Sequence, residues 1–493
     1  MTSNSGATST TARTSTQGRG LDALNRIREA RRAFQDANAE TRDKWIRSNR
    51  YFYRRMQSLL RFIIGPGKRV LEIRCLTGDS LAALEPSYGV GVEIGNVLVA
   101  KASQKHPGLH FVQNDPESLK LGEKFDCIVF NHVFDTVDVL AAFERMRVHC
   151  QDDGLFVIVN YNALWQPLVG LASKIGLRSR FVGPNWVSAD DIRGLLKLAG
   201  FRVVRQHRLL LLPKWIPLLS FVLNDFVARL PLLRRLCLMQ VTVARPVIKP
   251  RRPEDVSVSI IVPCRNEEGN ITEAVQRIPP MGKCMEIIFC DDKSTDGTAS
   301  EVRRMQVLCP EKKIRLVNGP GICKAENVWT GFRHARGDIV IILDADLSVM
   351  PEELPICLAA LVNGNGDFVN GNRLTYPMQE LAMKFANMIG NKVFGLIFSF
   401  LLDQRIKDTL CGTKALWRQD WERLETNIGG WGIRDLWGDY ELLFGACKLN
   451  LEIVEVPVHY QERIYGVTKM TKVLSNGFRM LGICWHAWLR LGG

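Results

Sequence analysis

The chain has 493 residues, about three times the size of a common domain, so two or three domains are expected. Apolar residues make up 46% and charged residues 24%, which excludes a fibrous, collagen-like or wholly disordered protein. The 65 basic residues exceed the 51 acidic ones and give a net charge of +14. That surplus favours phosphate-bearing partners such as nucleotides, anionic lipid or nucleic acid.

The first 59 residues contain two segments of different character. Residues 1–20 are rich in Ser, Thr and Gly and contain no acidic residue, which predicts a disordered tail, although a targeting presequence has a similar composition. Residues 21–59 predict a basic helical segment with an apolar stripe. That stripe either packs against the next domain or lies on anionic lipid.

Predicted strands and helices alternate between residues 60 and 245, which indicates an α/β domain with a largely parallel sheet. A Pro-rich linker over 246–255 separates this domain from a second α/β domain over 256–493. The elements expected in the first domain are strands at Arg69–Arg74, Gly89–Ile94, Leu109–Asn114, Phe125–Asn131 and Leu155–Tyr161, and helices at Asp79–Leu84, Val97–Lys105 and Asp138–Cys150.

The segment 70–84 (VLEIRCLTGDSLAAL) resembles the first strand, loop and helix of class I S-adenosylmethionine-dependent methyltransferases. The resemblance implies a Rossmann-like fold over 60–245. Arg74 and Leu76 stand where that family has glycines, and side chains there point into space that the cofactor needs. An active methyltransferase and a degenerate domain used for packing or partner binding both stay open. The S-adenosylmethionine site that the resemblance implies comprises Glu72, Gly78, Glu93 and Asp115.

Three motifs follow one another in the second domain: IIVPCRNEEGNI (260–271), DDKSTDGT (291–298) and LDADLS (343–348). In this order they resemble the family 2 glycosyltransferases of the GT-A fold. Ligands of parallel α/β sheets bind at the carboxyl ends of the strands, where carboxylates can accept hydrogen bonds from a nucleobase or ribose. The donor-nucleotide site implied by the resemblance comprises Pro263, Arg265, Glu267, Asp291, Asp292, Lys324 and Asp344.

The DAD element follows an apolar strand, IVIIL, and contains Asp344 and Asp346. A nucleoside diphosphate leaves with growing negative charge, and hard oxygen ligands suit the Mg²⁺ or Mn²⁺ that neutralises it. Asp344 and Asp346 are therefore the predicted metal ligands. By resemblance, Asp439 in GDYELL lies where many family 2 enzymes place a general base, so these three carboxylates are the predicted catalytic residues.

The stretch 451–470 (LEIVEVPVHYQERIYGVTKM) resembles a segment of dolichol-phosphate mannose synthases and related bacterial polyprenol-phosphate glycosyltransferases. Cations in such a segment can bracket donor and acceptor phosphates, and ion pairing is the alternative role. The phosphate- or acceptor-binding residues implied by the resemblance are Arg463, Thr468 and Lys469 of this stretch, together with Arg373 of the upstream segment GNR (371–373).

Together these motifs predict an inverting glycosyltransferase that moves a hexose from a GDP- or UDP-activated donor to polyprenyl or dolichyl phosphate. An acceptor phosphate is already ionised at pH 7, so Asp439 is either a general base or a structural carboxylate. A bifunctional methyltransferase/glycosyltransferase, and a family 2 enzyme that acts on a sugar hydroxyl, stay open. No nucleic-acid partner is expected, because no basic face is interleaved with aromatic residues beyond the N-terminal helical segment.

No stretch reaches the roughly 18 uninterrupted apolar residues of a spanning helix, so we expect a cytoplasmic protein held peripherally on the cytosolic face of a membrane. The candidate contacts with the bilayer are Phe394–Leu402 and Arg208–Leu238, and both segments are equally compatible with core helices. The 13 cysteines are scattered singly, which predicts buried reduced thiols.

Overall fold

The computed structural model describes residues 24–174, 185–376, 385–430, 435–463, 465 and 473–491. The chain divides into two compact units between Val247 and Ile248. Each unit contains a seven-stranded mixed sheet flanked by helices, so the predicted α/β class is confirmed in both.

The N-terminal unit begins with helices rather than with its sheet. The predicted helical segment 21–59 is interrupted at residues 39–41 and at Asn49. Its helices are α1 (24–38), α2 (Arg42–Ser48), α3 (Arg50–Ile64), α4 (Asp79–Ala83), α5 (Asn96–Lys105), α6 (Val139–His149), α7 (Gln166–Lys174), α8 (Ala189–Leu198) and the short α9 (Leu219–Phe221). Its strands are β1 (Arg69–Ile73), β2 (Tyr88–Glu93), β3 (His110–Gln113), β4 (Phe125–Asn131), β5 (Cys150–Tyr161), β6 (Phe201–Leu209) and β7 (Met239–Pro246).

The N-terminal sheet has the order β3-β2-β1-β4-β5-β7-β6. Strands β1 to β5 are parallel, whereas β7 runs antiparallel to both β5 and β6. Strand β1 is central and both its faces are covered, so Val70 to Ile73 are all buried, Glu72 included. Helix α3 buries Phe52, Met56 and Leu60 against one face of this sheet. The carboxyl ends of β1, β2 and β4 therefore meet at one edge.

The C-terminal unit is built around a second sheet, of order β10-β9-β8-β11-β13-β12-β14. Its helices are α10 (Glu268–Arg277), α11 (Thr298–Leu308), α12 (Lys324–His334), α13 (Leu354–Val362), α14 (Phe385–Leu402), α15 (Arg418–Glu425), α16 (Asp439–Lys448) and α17 (Val473–Leu491). Its strands are β8 (Ser257–Cys264), β9 (Cys284–Asp291), β10 (Ile314–Asn318), β11 (Ile339–Ile342), β12 (Phe368–Asn372), β13 (Lys414–Trp417) and β14 (Ile453–Pro457).

Strand direction places the three motif loops together. Strands β8 to β11 are parallel, so the loops that follow β8, β9 and β11 all leave the same edge of the sheet. Strand β13 is antiparallel to its neighbours β11 and β12, and its first residues enter from this same edge. One edge therefore collects residues from four strands.

The outer helix α14 decides one question that the sequence leaves open. Phe398 is fully buried and packs its ring on Tyr440 and Phe444, with ring centroids 4.5 and 4.7 Å away. Phe394 is also buried, so a bilayer contact made by these two rings is wrong. Leu396 lies on the opposite face and is 74% exposed.

No helix in the described part of the chain is long and apolar enough to cross a bilayer. The 13 cysteines form no disulfide, and most of them are buried. Burial raises the pKa of thiols such as Cys150 and Cys357 to about 12, so they remain protonated and unreactive at neutral pH.

Candidate active site

The two DAD carboxylates lie directly after β11, and each faces a cation. Lys324 Nζ, from the start of α12, lies 2.5 Å from Asp344 Oδ1. Arg463 Nη2 lies 2.8 Å from Asp346 Oδ2. Ser348 donates from its backbone N and from Oγ to Asp346 Oδ1, at 3.1 and 2.8 Å. The Asp346 side chain is therefore fixed through one oxygen and paired with Arg463 through the other.

Electrostatics at Asp344 favour its charged form. Burial opposes ionisation, but the Lys324 ammonium outweighs that cost and lowers the pKa of the Asp344 carboxyl. Burial likewise lowers the pKa of Lys324, and the carboxylates of Asp344 and Asp439 more than reverse this effect. The pair is therefore ionised at neutral pH.

Backbone contacts bring the 451–470 stretch to the DAD loop. Val349 and Tyr460 form an antiparallel bridge. Gln461 donates from its backbone N to Ser348 O at 2.9 Å and from Nε2 to Leu347 O at 3.0 Å. The bridge and the two hydrogen bonds of Gln461 position Arg463, two residues further on, beside Asp346. Two motifs more than a hundred residues apart in sequence thus share one site.

Asp439 begins α16 and is held by a buried lysine. Lys414 Nζ lies 2.6 Å from Asp439 Oδ1 and also donates to the carbonyl of Cys411. The Lys414 side chain is fully buried at the start of β13. Between these residues Gly412 touches the DAD element: a Cβ on Gly412 would lie 2.1 Å from Asp344 Oδ2. The 411–414 segment therefore contacts both Asp344 and Asp439.

Three of the predicted donor-nucleotide residues, Arg265, Glu267 and Asp292, lie in the loops after β8 and β9. Asp292 Oδ1 accepts from the backbone N of Gly321 at 2.6 Å, and its Oδ2 lies 4.0 Å from Arg265 Nη1. Glu267 is buried, and its Oε2 accepts from Asn270 Nδ2 at 2.8 Å. Both carboxylates thus have a fixed orientation at the carboxyl edge of the sheet.

Two further predicted donor residues have local roles in the backbone. Asp291 Oδ1 accepts from the backbone N of Ser294 at 3.1 Å, which closes the turn after β9. Pro263 is part of strand β8, one residue before its end. Their predicted contacts with a nucleotide stay predictions.

Arg373 forms a buried ion pair with Asp408. Its Nε and Nη2 donate to the two Asp408 oxygens at 2.8 and 2.9 Å, and Asn391 Nδ2 adds a bond of 2.7 Å to the same carboxylate. Burial opposes ionisation of Asp408, but Arg373 outweighs it and lowers the pKa of that carboxyl to about 2. The guanidinium also lies over the Tyr460 ring, 4.9 Å from its centroid. Thr468 and Lys469 lie outside the described residues.

In the N-terminal unit, the carboxylates of the predicted cofactor site are engaged by the chain itself. Glu93 is fully buried and accepts from Arg74 Nη1 at 3.0 Å and from the backbone N of Leu76 and of Ile94, at 3.1 and 2.8 Å. Asp115 lies 3.6 Å from Arg28 Nε of α1. Both acidic positions therefore face arginines.

The remaining predicted residues of that site are structural in character. Glu72 is fully buried and accepts from Asn131 Nδ2 at 2.7 Å, and burial raises the pKa of its carboxyl to about 8. Gly78 has a φ of +76° just before α4, and a Cβ there would lie 2.6 Å from the Phe111 ring. Glycine is required at that position by both conformation and space.

Comparison with known protein families agrees with this division of the chain. Residues 259–425 match the family model for glycosyl transferase family 2, and residues 46–206 match the model for a methyltransferase domain. The chain joins a methyltransferase-like domain to a family 2 glycosyltransferase domain. Both resemblances predicted from sequence are thereby confirmed.

Relatives of the glycosyltransferase domain include a dolichol-phosphate mannosyltransferase from Pyrococcus furiosus, 31% identical over 224 residues, which are 44% of this chain and 59% of that protein. An undecaprenyl-phosphate 4-deoxy-4-formamido-L-arabinose transferase from Shewanella sediminis is 32% identical over 111 residues, which are 22% of this chain and 34% of that protein. The chain thus spans less than two thirds of either relative.

The methyltransferase-like domain resembles solved structures at low identity. The CcbJ methyltransferase from Streptomyces caelestis is 15% identical, with a TM-score of 0.31, over 43% of this chain and 97% of that protein.

The donor set of the glycosyltransferase domain fits a divalent metal ion. Asp344 and Asp346 offer carboxylate oxygens, which Mg²⁺ and Mn²⁺ prefer. Among the described residues, no cluster of three or more His, Cys, Asp and Glu side chains supplies a complete set of ligands. Two carboxylates suit an ion that completes its coordination with substrate phosphates and water.

Sequence reasoning missed three residues of the glycosyltransferase site: Gly412, Lys414 and Gln461. The first two belong to CGTK (411–414), where a glycine and polar residues directly precede the apolar residues of a strand, which is a weak but readable signal. Gln461 carries no comparable signal, because it acts through backbone-directed hydrogen bonds.

Proposed function

We propose that this protein transfers a hexose from a nucleoside diphosphate donor to the phosphate of a polyprenyl lipid, with inversion at the anomeric carbon. The observation that carries the proposal is the pairing of Arg463 with Asp346. It joins the stretch that resembles polyprenol-phosphate glycosyltransferases to the DAD element that resembles a donor site. The named relatives act on dolichol phosphate and undecaprenyl phosphate, which supports the same class of acceptor.

On the donor side, the chain offers oriented groups for the nucleoside and for the diphosphate of a nucleotide sugar. Asp292 and Glu267, at the carboxyl edge of the sheet, would accept hydrogen bonds from base or ribose. Asp344 and Asp346 would hold a divalent ion, which neutralises the departing diphosphate. Lys324 lies against Asp344 and is placed to contact the same phosphates.

On the acceptor side, an ionised phosphate oxygen attacks the anomeric carbon while the bond from that carbon to the donor diphosphate breaks. The attacking oxygen carries no proton at pH 7, so no general base is required. Arg463 is the cation placed to hold the acceptor phosphate next to the donor. Asp439 is already bonded to Lys414, an arrangement that suits a structural carboxylate.

A sugar hydroxyl acceptor is the second candidate, because Asp439 lies within the same charged cluster. Its charge acts on Lys324, whose ammonium touches Asp344. As a base, Asp439 would have to take a proton while its Oδ1 remains bonded to the buried Lys414. The phosphate acceptor avoids that competition, and we favour it for this reason.

A lipid acceptor requires the glycosyltransferase domain to contact a bilayer, and its outer helices offer the surface. Helices α14 and α17 pack against each other. Each presents apolar side chains to solvent at helical spacing, and Lys392 is exposed among them. We call this surface the lipid face; its exposed apolar residues are Ile389, Val393, Leu396, Phe478, Leu481, Trp485 and Leu489.

The methyltransferase-like domain offers a second surface of this kind, between β6 and β7. Trp215 is 57% exposed, and Leu218 and Leu232 are each 76% exposed. Lys214 and Arg235 are exposed within the same segment. Apolar side chains beside cations suit an anionic bilayer, where each surface cation adds about 1 kcal/mol. We propose peripheral attachment of the protein through these surfaces.

The decisive experiment compares Asp346→Asn with wild type in transfer from GDP-mannose and UDP-glucose, with Mn²⁺, to polyprenyl phosphate. The variant should lose at least about 100-fold in rate, because the amide carries no charge for either a metal ion or Arg463. Its melting temperature should stay within about 2 °C of wild type. Glu422→Gln, which breaks an exposed pair with Arg418 in the same domain, is the matched control.

The choice of acceptor is tested in parallel with the free polyprenol. Wild type should use the phosphate and leave the alcohol unchanged. Preferential transfer to the alcohol would replace the phosphate acceptor by a hydroxyl acceptor. Wild-type turnover by Asp346→Asn would refute the role of the DAD element.

A further inference from the structure

In the methyltransferase-like domain, two residues of the loop after β1 have the backbone conformation that glycine favours, although neither is a glycine. Arg74 has a φ of +60° and Leu76 a φ of +54°, both in the left-handed region that favours glycine. A methyltransferase of this fold uses such a loop to let the cofactor approach the backbone. Here a guanidinium and an isobutyl group extend from those two positions instead.

The Arg74 side chain occupies the site itself. It is 2% exposed and lies between two carboxylates, bonded through Nη1 to Glu93 and through Nη2 to Asp135. Glu93 stands where a cofactor ribose would donate its hydroxyl hydrogens. Its two oxygens already accept three hydrogen bonds, from Arg74, Leu76 and Ile94. A ribose would therefore have to displace a buried, charge-assisted bond.

Helix α1 closes the same site from outside. Arg31 is 3% exposed, and its Nε lies 3.4 Å from Asp135 Oδ1. Gln35 donates from Nε2 to Asp135 Oδ2 at 3.0 Å. Asp36 Oδ1 accepts from the backbone N of Val97 at 3.0 Å, just after β2. The helix is thus bonded to the first turn of α5, which follows β2, and to the segment that follows β4.

One pocket in the described part of this domain lies beside the loop that follows β1. This small pocket lies at this edge of the sheet, and its wall includes Phe52, Phe134 and Tyr161. Arg74 and Leu76 also form part of the wall, whereas Glu93 and Asp115 do not reach it. The pocket therefore does not extend to the carboxylates that would hold ribose and adenine.

We propose that the methyltransferase-like domain does not bind S-adenosylmethionine, because Arg74 and its carboxylate partners occupy the space that the cofactor would need. The cofactor is a sulfonium cation, and a buried guanidinium in its place adds charge repulsion to steric exclusion. The domain is then a folded, non-methylating part of the protein. The inference is independent of the proposed glycosyl transfer.

Calorimetric titration of the full-length protein with S-adenosylmethionine, and separately with S-adenosylhomocysteine, tests this directly. We expect no binding heat and no change in melting temperature at about 1 mM ligand. Saturable binding with a Kd below about 100 μM would overturn the inference. Neither measurement depends on a donor, an acceptor or a methyl acceptor.

Two single variants test whether the buried ion pairs of Arg74 stabilise the domain. Arg74→Met should lower the melting temperature by about 10 °C, because it removes the buried guanidinium that bonds both Glu93 and Asp135. Arg193→Met, which breaks an exposed pair with Asp190, should change it by less than about 2 °C. Equal melting of both variants would refute the buried network.

The paired change Arg74→Gly with Leu76→Gly restores the glycines at both left-handed positions. If it folds, it should bind S-adenosylhomocysteine with a Kd below about 100 μM, whereas the wild type should show no binding heat. A folded double variant that still fails to bind would refute Arg74 and Leu76 as the cause. If the double variant does not fold, the wild-type titration and the Arg74→Met comparison decide the question.

Discussion

Gly412→Ala probes the position of Asp344 without touching any charged group. The added methyl would lie 2.1 Å from Asp344 Oδ2 and 2.7 Å from its Cγ, whereas ordinary contacts begin at 3.4 Å. The carboxylate must therefore retreat by about 1.3 Å. Lys324 lies 2.5 Å from Oδ1 of the same carboxylate, so the shift also disturbs that ion pair. The change therefore displaces a predicted metal ligand by about 1.3 Å.

A displacement of about 1 Å in a catalytic group costs on the order of 100-fold in rate, equivalent to about 2.7 kcal/mol of transition-state stabilisation. We expect Gly412→Ala to lose hexose transfer to polyprenyl phosphate by about that factor. Overpacking should cost about 1–3 kcal/mol of stability, too little to unfold the protein at 25 °C. The assay pairs initial transfer rates with Mn²⁺-dependent nucleotide binding and with melting temperature.

Gly194→Ala is the matched control, since Gly194 lies within helix α8 and a Cβ there meets nothing within 4 Å. It should keep full activity and gain up to about 1 kcal/mol of stability. If Gly412→Ala transfers hexose within about twofold of wild type, the position of Asp344 does not control turnover, and the assigned role of this carboxylate is wrong.

Two further predictions concern the membrane and pH. Replacing both Leu396 and Trp485 of the lipid face with Ser should reduce flotation with anionic liposomes at least tenfold and leave the melting temperature unchanged. The buried Phe398 is the contrast, because Phe398→Ser should lower the melting temperature. Unchanged flotation of the double variant would exclude this face. The pKa of Glu72 is raised to about 8, so between pH 4.5 and 8 the folded state holds a proton that the unfolded chain releases. The contribution of Glu72 to the free energy of unfolding therefore falls as the pH rises through this range, by at most about 1.4 kcal/mol per pH unit. Glu72→Gln should keep the hydrogen bond from Asn131 and flatten that dependence in urea unfolding at pH 5.5 and 8; an identical slope in both proteins would refute it.

Much of the fold could be predicted because apolar runs and turn residues mark buried parallel strands. Strand β4 was expected at Phe125–Asn131 and lies there. Strand β5 begins at Cys150 rather than at Leu155, because the polar residues 151–153 interrupt the apolar pattern although this segment continues the strand. Motif order placed the carboxylates of the donor site at one sheet edge, since parallel strands end together.

The partners of those carboxylates could not be predicted, because they depend on how distant segments pair. Strand β13 inserts antiparallel between β11 and β12, and only that placement brings Lys414 to Asp439. Helix α14 has 18 residues and is almost wholly apolar, so its pattern gives no buried side. Packing on Tyr440 and Phe444 turns Phe398 inward and leaves Leu396 outside.

The pairing of both DAD carboxylates with cations has a consequence for the order in which ligands associate with the site. Asp344 with Lys324, and Asp346 with Arg463, make a site whose formal charges cancel. A divalent ion alone would leave this site strongly positive, and a diphosphate alone would leave it strongly negative. The two together would restore electroneutrality, and Lys324 and Arg463 would then exchange their carboxylate partners for phosphate oxygens. Nucleotide and metal affinities should therefore be thermodynamically linked, each weak in the absence of the other.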